Sequence, residues 1–129
     1  MSVPTLRVAR RCGDPFALAA QYRDGLGLQE LGRFAGHAGH DGVMLGFPGG
    51  GWHLELVRTP EPRPAPPDPE DALVLYCGED AAWSRRCERA IAAGFVPIAA
   101  CNPYWAVNGH CLADGEGFGV ILARGQWPR

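Results

Sequence analysis

Thr59-Pro60-Glu61-Pro62-Arg63-Pro64-Ala65-Pro66-Pro67-Asp68-Pro69-Glu70 is the stretch that orders the rest of the chain. Six prolines in twelve residues exclude a helix or a central strand, because proline lacks a backbone N–H and fixes φ. Residues 59–70 therefore read as an extended, semi-rigid connector. On each side of it lies the same succession of one strand, one helix and three strands.

Before the connector, Leu6 to Arg11 alternates as a strand does. Asp14 can cap a helix whose first position suits Pro15. Phe16, Ala19 and Ala20 make its apolar stripe, with Leu18 and Tyr22 beside them, and Gly25 and Gly27 stop it. Strands follow over Leu28 to Phe34, Gly42 to Phe47 and Trp52 to Arg58, separated by glycine-rich turns. After the connector, Ala72 to Cys77 reads as a strand and Glu79-Asp80 as a helix cap. Trp83, Cys87, Ala90 and Ile91 fall on one apolar helix face, with Trp83 expected in the core. Gly94 ends that helix. Strands are expected over Phe95 to Ala100, Ala106 to Ala113 and Phe118 to Arg124.

The halves overlay. Gly27-Leu28 matches Gly94-Phe95, and Asp41-Gly42-Val43-Met44-Leu45 matches Asn108-Gly109-His110-Cys111-Leu112, both at an offset of 67. Asp14 and Asp80 match at 66, as do Leu54-Glu55-Leu56 and Val120-Ile121-Leu122. The shared offset marks an internal repeat. The expectation is an α+β chain forming a single domain over 1–129, with tandem βαβββ modules over 5–58 and 71–127.

Composition narrows the function. The 129 residues are 47% hydrophobic and 20% charged, which is globular composition rather than disorder. The net charge of -2 argues against a nucleic-acid partner. No apolar run reaches the roughly 18 residues of a membrane span. The N-terminus shows no basic-then-apolar leader, so a cytoplasmic protein is expected. All twelve basic residues are Arg, a codon habit of GC-rich bacterial genomes. The five cysteines are odd in number and lack CxxC spacing, so they read as buried free thiols.

Gln21-Tyr22-Arg23-Asp24-Gly25-Leu26-Gly27-Leu28, His53-Leu54-Glu55-Leu56, Ala92-Ala93-Gly94-Phe95 and Asp114-Gly115-Glu116-Gly117-Phe118 together resemble the vicinal oxygen chelate superfamily. That group includes glyoxalase I, bleomycin-resistance proteins and extradiol dioxygenases. Asn102-Pro103-Tyr104-Trp105 resembles a subgroup of small bacterial members. The resemblance spans roughly Leu6 to Arg124 and implies a curved mixed sheet around a cavity, and a homodimer. In metal-using members, four ligand positions carry His, Glu or Gln. Here the resemblance places them near Arg7, on Glu55, on Asp71 or Ala72, and on Ile121. Only Glu55 is plainly a ligand type, so no metal or other cofactor is expected and Glu55 is at most a weak metal candidate. The implied function is binding of a small organic molecule without a full metal site. The alternative is a metal-dependent or metal-free lyase, isomerase or dioxygenase.

The residues expected to line the ligand site are His53, Glu55, Tyr104, Trp105, His110 and Arg10. His53 and Glu55 are two apart on a strand and share a face. His53 could act as a base near neutral pH. Tyr104 and Trp105 can stack on a planar ligand. His110 is expected on the cavity wall, and Arg10 or Arg7 near its floor. His37, His40 and Asp41 crowd a glycine-rich turn, where polar turn residues are the simpler reading. No phosphate loop, dinucleotide fingerprint or nucleophile elbow is present.

Overall fold

In the computed structural model, which describes residues 3–61, 65–100 and 102–128, β1 (Leu6–Arg11) leads to Asp14 and then to α1 (Pro15–Leu26). The Asp14 carboxylate accepts from the N–H groups of Phe16 and Ala17 at 3.0 and 3.1 Å. It thereby satisfies two of the donors that a helix start leaves open, and Pro15 takes a position that needs none. Gly27 ends the helix in the left-handed region at φ 73°. Three strands follow, β2 (Gln29–His37), β3 (His40–Gly46) and β4 (Trp52–Arg58). The sheet order is β1-β4-β3-β2, with β1 parallel to β4 and the other neighbours antiparallel.

Alternation along these strands separates two faces. Val43, Leu45, Leu54 and Leu56 are buried, as are Leu18, Ala19, Tyr22 and Leu26 of α1, which packs on β3 and β4. Met44, His53 and Glu55 fall on the opposite face, which α1 leaves open.

The second half repeats the plan with β5 (Ala72–Tyr76), α2 (Asp80–Ala92), β6 (Val96–Pro97), α3 (Pro103–Asn108), β7 (Gly109–Ala113) and β8 (Gly119–Ala123). Its order is β5-β8-β7-β6, again with one parallel pair, β5 with β8. Cys87, Ala90, Phe95, Leu112, Val120 and Leu122 form its core. The chain divides into two compact units, Met1–Ala65 and Pro66–Arg129, within the proline-rich connector. Residues 62–64 of that connector lie outside the described residues. The architecture is the α+β fold of two βαβββ units. Among the described residues, no helix is long and apolar enough to cross a membrane.

Several local expectations change. Ala106 to Asn108 belongs to α3, not to a strand. Asn102 Oδ1 accepts from the Tyr104 N–H at 2.9 Å and Pro103 follows at the first helical position, the same device that starts α1. The strand expected over Phe95 to Ala100 shortens to Val96–Pro97, where Pro97 has no N–H to donate to the ladder, with one further bond from the Ile98 N–H to the Cys111 carbonyl at 3.0 Å. Glu79 sits at the α2 cap position without a side-chain bond, while Asp80 receives the Arg124 guanidinium at 3.0 Å. Trp83 rims the core rather than filling it. It is half-buried, its indole N–H donates to the Leu122 carbonyl at 2.7 Å, and Arg124 lies over its ring. Ile91 is exposed. Cys12, Cys77, Cys87 and Cys111 are free thiols, and burial pushes the Cys87 thiol up to about 11. Cys101 lies outside the described residues.

Candidate functional site

In the first unit, the strand register builds a polar cluster. Arg7 of β1 pairs with His53 of β4, and Ala9 pairs with Glu55. Arg7 Nε–H donates to His53 Nε2 at 2.8 Å, and Arg7 Nη1 donates to Glu55 Oε2 at 3.4 Å. His53 Nε2 thus meets Arg7 as a hydrogen-bond acceptor, which leaves Nδ1 as the ring's donor. The Arg7 side chain is half exposed, whereas that of Glu55 is 13% exposed.

Arg10 is not part of this cluster. It pairs with Leu56 on the α1 side, and its guanidinium lies over the Tyr22 ring, 5.7 Å from the centroid. Of the two arginines named for the site floor, Arg7 is the one beside Glu55. The glycine-rich turn is occupied by its own bonding. Asp41 Oδ1 accepts from Gly36 N–H at 2.8 Å, and Asp41 Oδ2 accepts from Arg58 at 2.8 and 3.0 Å. The Gly36 N–H and then the Arg58 guanidinium hold the Asp41 carboxyl below its usual range. His40 Nδ1 bonds the Ala38 carbonyl oxygen.

The second unit holds a pocket of about 140 Å³. Its walls are Ala72, Val74, Ile98, Trp105, Cys111 and Ile121, with Glu70 and Asn102 as polar members. Gly109 makes this possible by close approach. A Cβ there would stand 3.0 Å from Ile121 Cγ2 and 3.1 Å from Trp105 Cε3. Tyr104 packs edge-on against Trp105, with ring centroids 4.9 Å apart, and is itself exposed outside the lining. His110 pairs with Leu122, so it lies on the α2 side, opposite to Cys111. Of the second-unit residues named from sequence, the pocket thus contains Trp105 and neither Tyr104 nor His110. Ala72, Val74 and Cys111 were missed as lining residues. Their signal was alternation, which places them on the Ile121 face once the register is known.

The register also resolves the third ligand position. Ala72 pairs with Gly119 as Arg7 pairs with His53, so Ala72, not Asp71, is the counterpart of Arg7. The four positions are then Arg7, Glu55, Ala72 and Ile121. One is a cation, two are hydrocarbon, and the carboxylate is engaged by the cation. This set does not fit a divalent ion. Among the described residues, no group of three His, Cys, Asp or Glu converges to hold one.

The family model for the YycE-like N-terminal domain matches residues 6–57, and that for the YycE-like C-terminal domain matches residues 70–124. The uncharacterized protein YycE of Bacillus subtilis (strain 168) is 31% identical over 118 residues, spanning 91% of this chain and 85% of that protein. A crystal structure of a YycE protein of unknown function from Bacillus subtilis superposes with a TM-score of 0.83 at 28% identity, covering 97% of this chain and 93% of that one. TnmS3, an antibiotic binding protein from Streptomyces sp. CB03234, shares the fold at 20% identity, with a TM-score of 0.67 and 98% of each chain covered.

Proposed function

Since the chain belongs to the YycE-like family of the vicinal oxygen chelate superfamily, we propose that it binds a small organic molecule without the help of a metal ion. The observation that carries this reading is the second-unit pocket, whose hydrocarbon walls include Ala72 and Ile121. A cavity of about 140 Å³ has the size that accepts a single small ring, and the Trp105 indole offers that ring an aromatic partner. The antibiotic binding protein TnmS3 has the same fold, so binding is an activity the architecture supports.

Lyase, isomerase or dioxygenase chemistry at a divalent ion has no support in the donor set described above. Of the residues first named for the ligand, Trp105, His53 and Glu55 stay in the proposal. His53 Nε2 is engaged by the Arg7 Nε–H, which favours a binding role over that of a free base.

The test uses toluene as the probe on the isotopically labelled full chain. Saturable shifts are expected for the methyl groups of Val74, Ile98 and Ile121. Trp105→Ala should weaken them about tenfold, ~1.4 kcal/mol. Toluene shifts unaffected by Trp105→Ala would reject the reading.

The proposal includes a homodimer. Leu6 and Val8 of the edge strand β1 are 59% and 39% exposed, an apolar strip that association would cover. A monomer mass in solution scattering at tens of micromolar would refute the dimer.

A further inference from the structure

We propose that the Arg7–His53–Glu55 cluster recognises the edge of a cis-amide, a carbonyl acceptor beside an N–H donor, as in a lactam, urea or imide. The proposal rests on the small-molecule reading above and assigns a ligand chemistry to the first unit's open sheet face.

The hydrogen-bond inventory of the three side chains leads to it. Arg7 uses Nε–H on His53 and Nη1 on Glu55. Its Nη2 donates to no partner among the described residues. Glu55 is engaged at Oε2 by one long bond of 3.4 Å, and its Oε1 accepts from nothing among the described residues. That carboxylate is largely shielded, with its side chain 13% exposed, so an unfilled acceptor there is worth more than one in open water. One ion pair thus keeps a donor, Arg7 Nη2, and an acceptor, Glu55 Oε1, that no described residue fills.

Charge selects among ligands. The Arg7–Glu55 ion pair balances one positive against one negative group. A lone anion that reaches Arg7 meets Glu55 beside it, and a lone cation meets the reverse. A neutral amide edge matches both groups and brings no net charge to desolvate. His53 is a positioning residue here. By accepting from Nε–H, it keeps the guanidinium from collapsing fully onto Glu55.

The surroundings suit the body of such a ligand. Met44 and Ala9 flank Glu55 in register. Gly46 is the β3 neighbour of His53, where a Cβ would crowd His53 and Leu31. Gly32 pairs with Met44. A Cβ on Gly32 would meet Met44 Cε at 3.0 Å, so the two glycines let Met44 and Leu31 lie low on the sheet as an apolar floor beside the polar anchor.

The experiment follows the Arg7 Nε–Hε and His53 ring signals of the 15N-labelled full chain. The probes are 2-piperidinone, cyclohexanone, piperidinium and cyclohexanecarboxylate. The expected result is saturable shifts with 2-piperidinone, with the acceptor-only, cationic and anionic probes each about tenfold weaker. The His53 15N shifts should show Nε2 unprotonated and Nδ1 protonated. Glu55→Ala should weaken 2-piperidinone about tenfold. Glu55→Gln, which keeps the side-chain shape but offers one carbonyl oxygen to the two donors of Arg7 and the ligand, should weaken it as well, and serves if the alanine variant fails to fold. Equal shifts with cyclohexanecarboxylate, a protonated Nε2, or no response of Arg7 and His53 to 2-piperidinone would each overturn the proposal. Shifts confined to Val74 and Ile121 would also overturn it while leaving the toluene reading standing.

Discussion

Glu55 and Ile121 hold the same place in two sheets of one design. Glu55 lies between Ala9 on the parallel neighbour and Met44 on the antiparallel one. Ile121 lies between Val74 and Cys111 in the same way. One repeat thus carries a carboxylate beside an arginine at this point of the sheet, and the other carries hydrocarbon over a pocket. Identical backbone register supports two different chemistries, because alternation specifies only which face a side chain meets.

Removing divalent ions should leave the protein unchanged. Arg7 approaches Glu55 to 3.4 Å and would repel a dication there, while Ala72 and Ile121 supply no donor. Dialysis against a chelator is expected to leave the thermal midpoint and the toluene affinity where they were. Stoichiometric metal that survives dialysis in the parent and is lost in Glu55→Ala would contradict this.

Gly109 should prove intolerant of a side chain for a steric reason alone. Its φ of -164° is extended backbone that any residue adopts, but a Cβ would press on Ile121 and Trp105. Gly109→Ala is expected to cost about 1–3 kcal/mol as an overpacked contact, and to weaken toluene binding by displacing the indole. Urea unfolding and the methyl-shift titration measure the two effects separately. Unchanged toluene affinity would show that the indole can move without harm.

Trp83 offers a graded test of the second core. Trp83→Phe removes the N–H bonded to the Leu122 carbonyl and should cost about 1 kcal/mol. Leu122→Ala, at a fully buried position, should cost about 2–5 kcal/mol. Equal losses in urea unfolding would mean that Trp83 is more deeply packed than its half-buried position indicates.

Asp41 should make stability depend on pH in acid. Its folded carboxyl titrates below the usual value, which is about 3.9 for an unfolded chain. The native state therefore binds fewer protons than the unfolded one as pH falls through this range. The contribution is complete above the unfolded value and disappears as pH drops through the lowered folded value. Asp41→Asn should be less stable than the parent at neutral pH, with the two urea midpoints converging in strong acid. Parallel curves over the whole range would count against the Gly36 and Arg58 bonds.

Much of the fold was legible because its signals are local. Asp14-Pro15 and Gly27 bracket α1 by cap chemistry that needs no distant partner. Helix α3 carried the same Asn-Pro signature, but its six residues are too short to show helical periodicity, and the apolar run into β7 read as one strand. The candidate site was legible in part. His53 and Glu55 share a face by alternation alone. The choice between Arg7 and Arg10 needed the pairing of Arg7 with His53, which no local pattern contains.

The sequence by itself determined the repeat, the connector, the helix starts and the two-residue alternation of each strand, since these follow from backbone geometry within a few residues. Only the tertiary structure decided which face of each sheet is covered and which residues meet across strands. The apolar stripe of α1 closes over Leu54 and Leu56, which leaves His53 and Glu55 on the open side. The parallel register of β1 on β4 then brings Arg7 to both. In the second unit, the register of β5 on β8 puts Ala72 where the first has Arg7. Register is a long-range quantity, set by how apolar side chains pack between elements, and so it lies beyond any local reading of the chain.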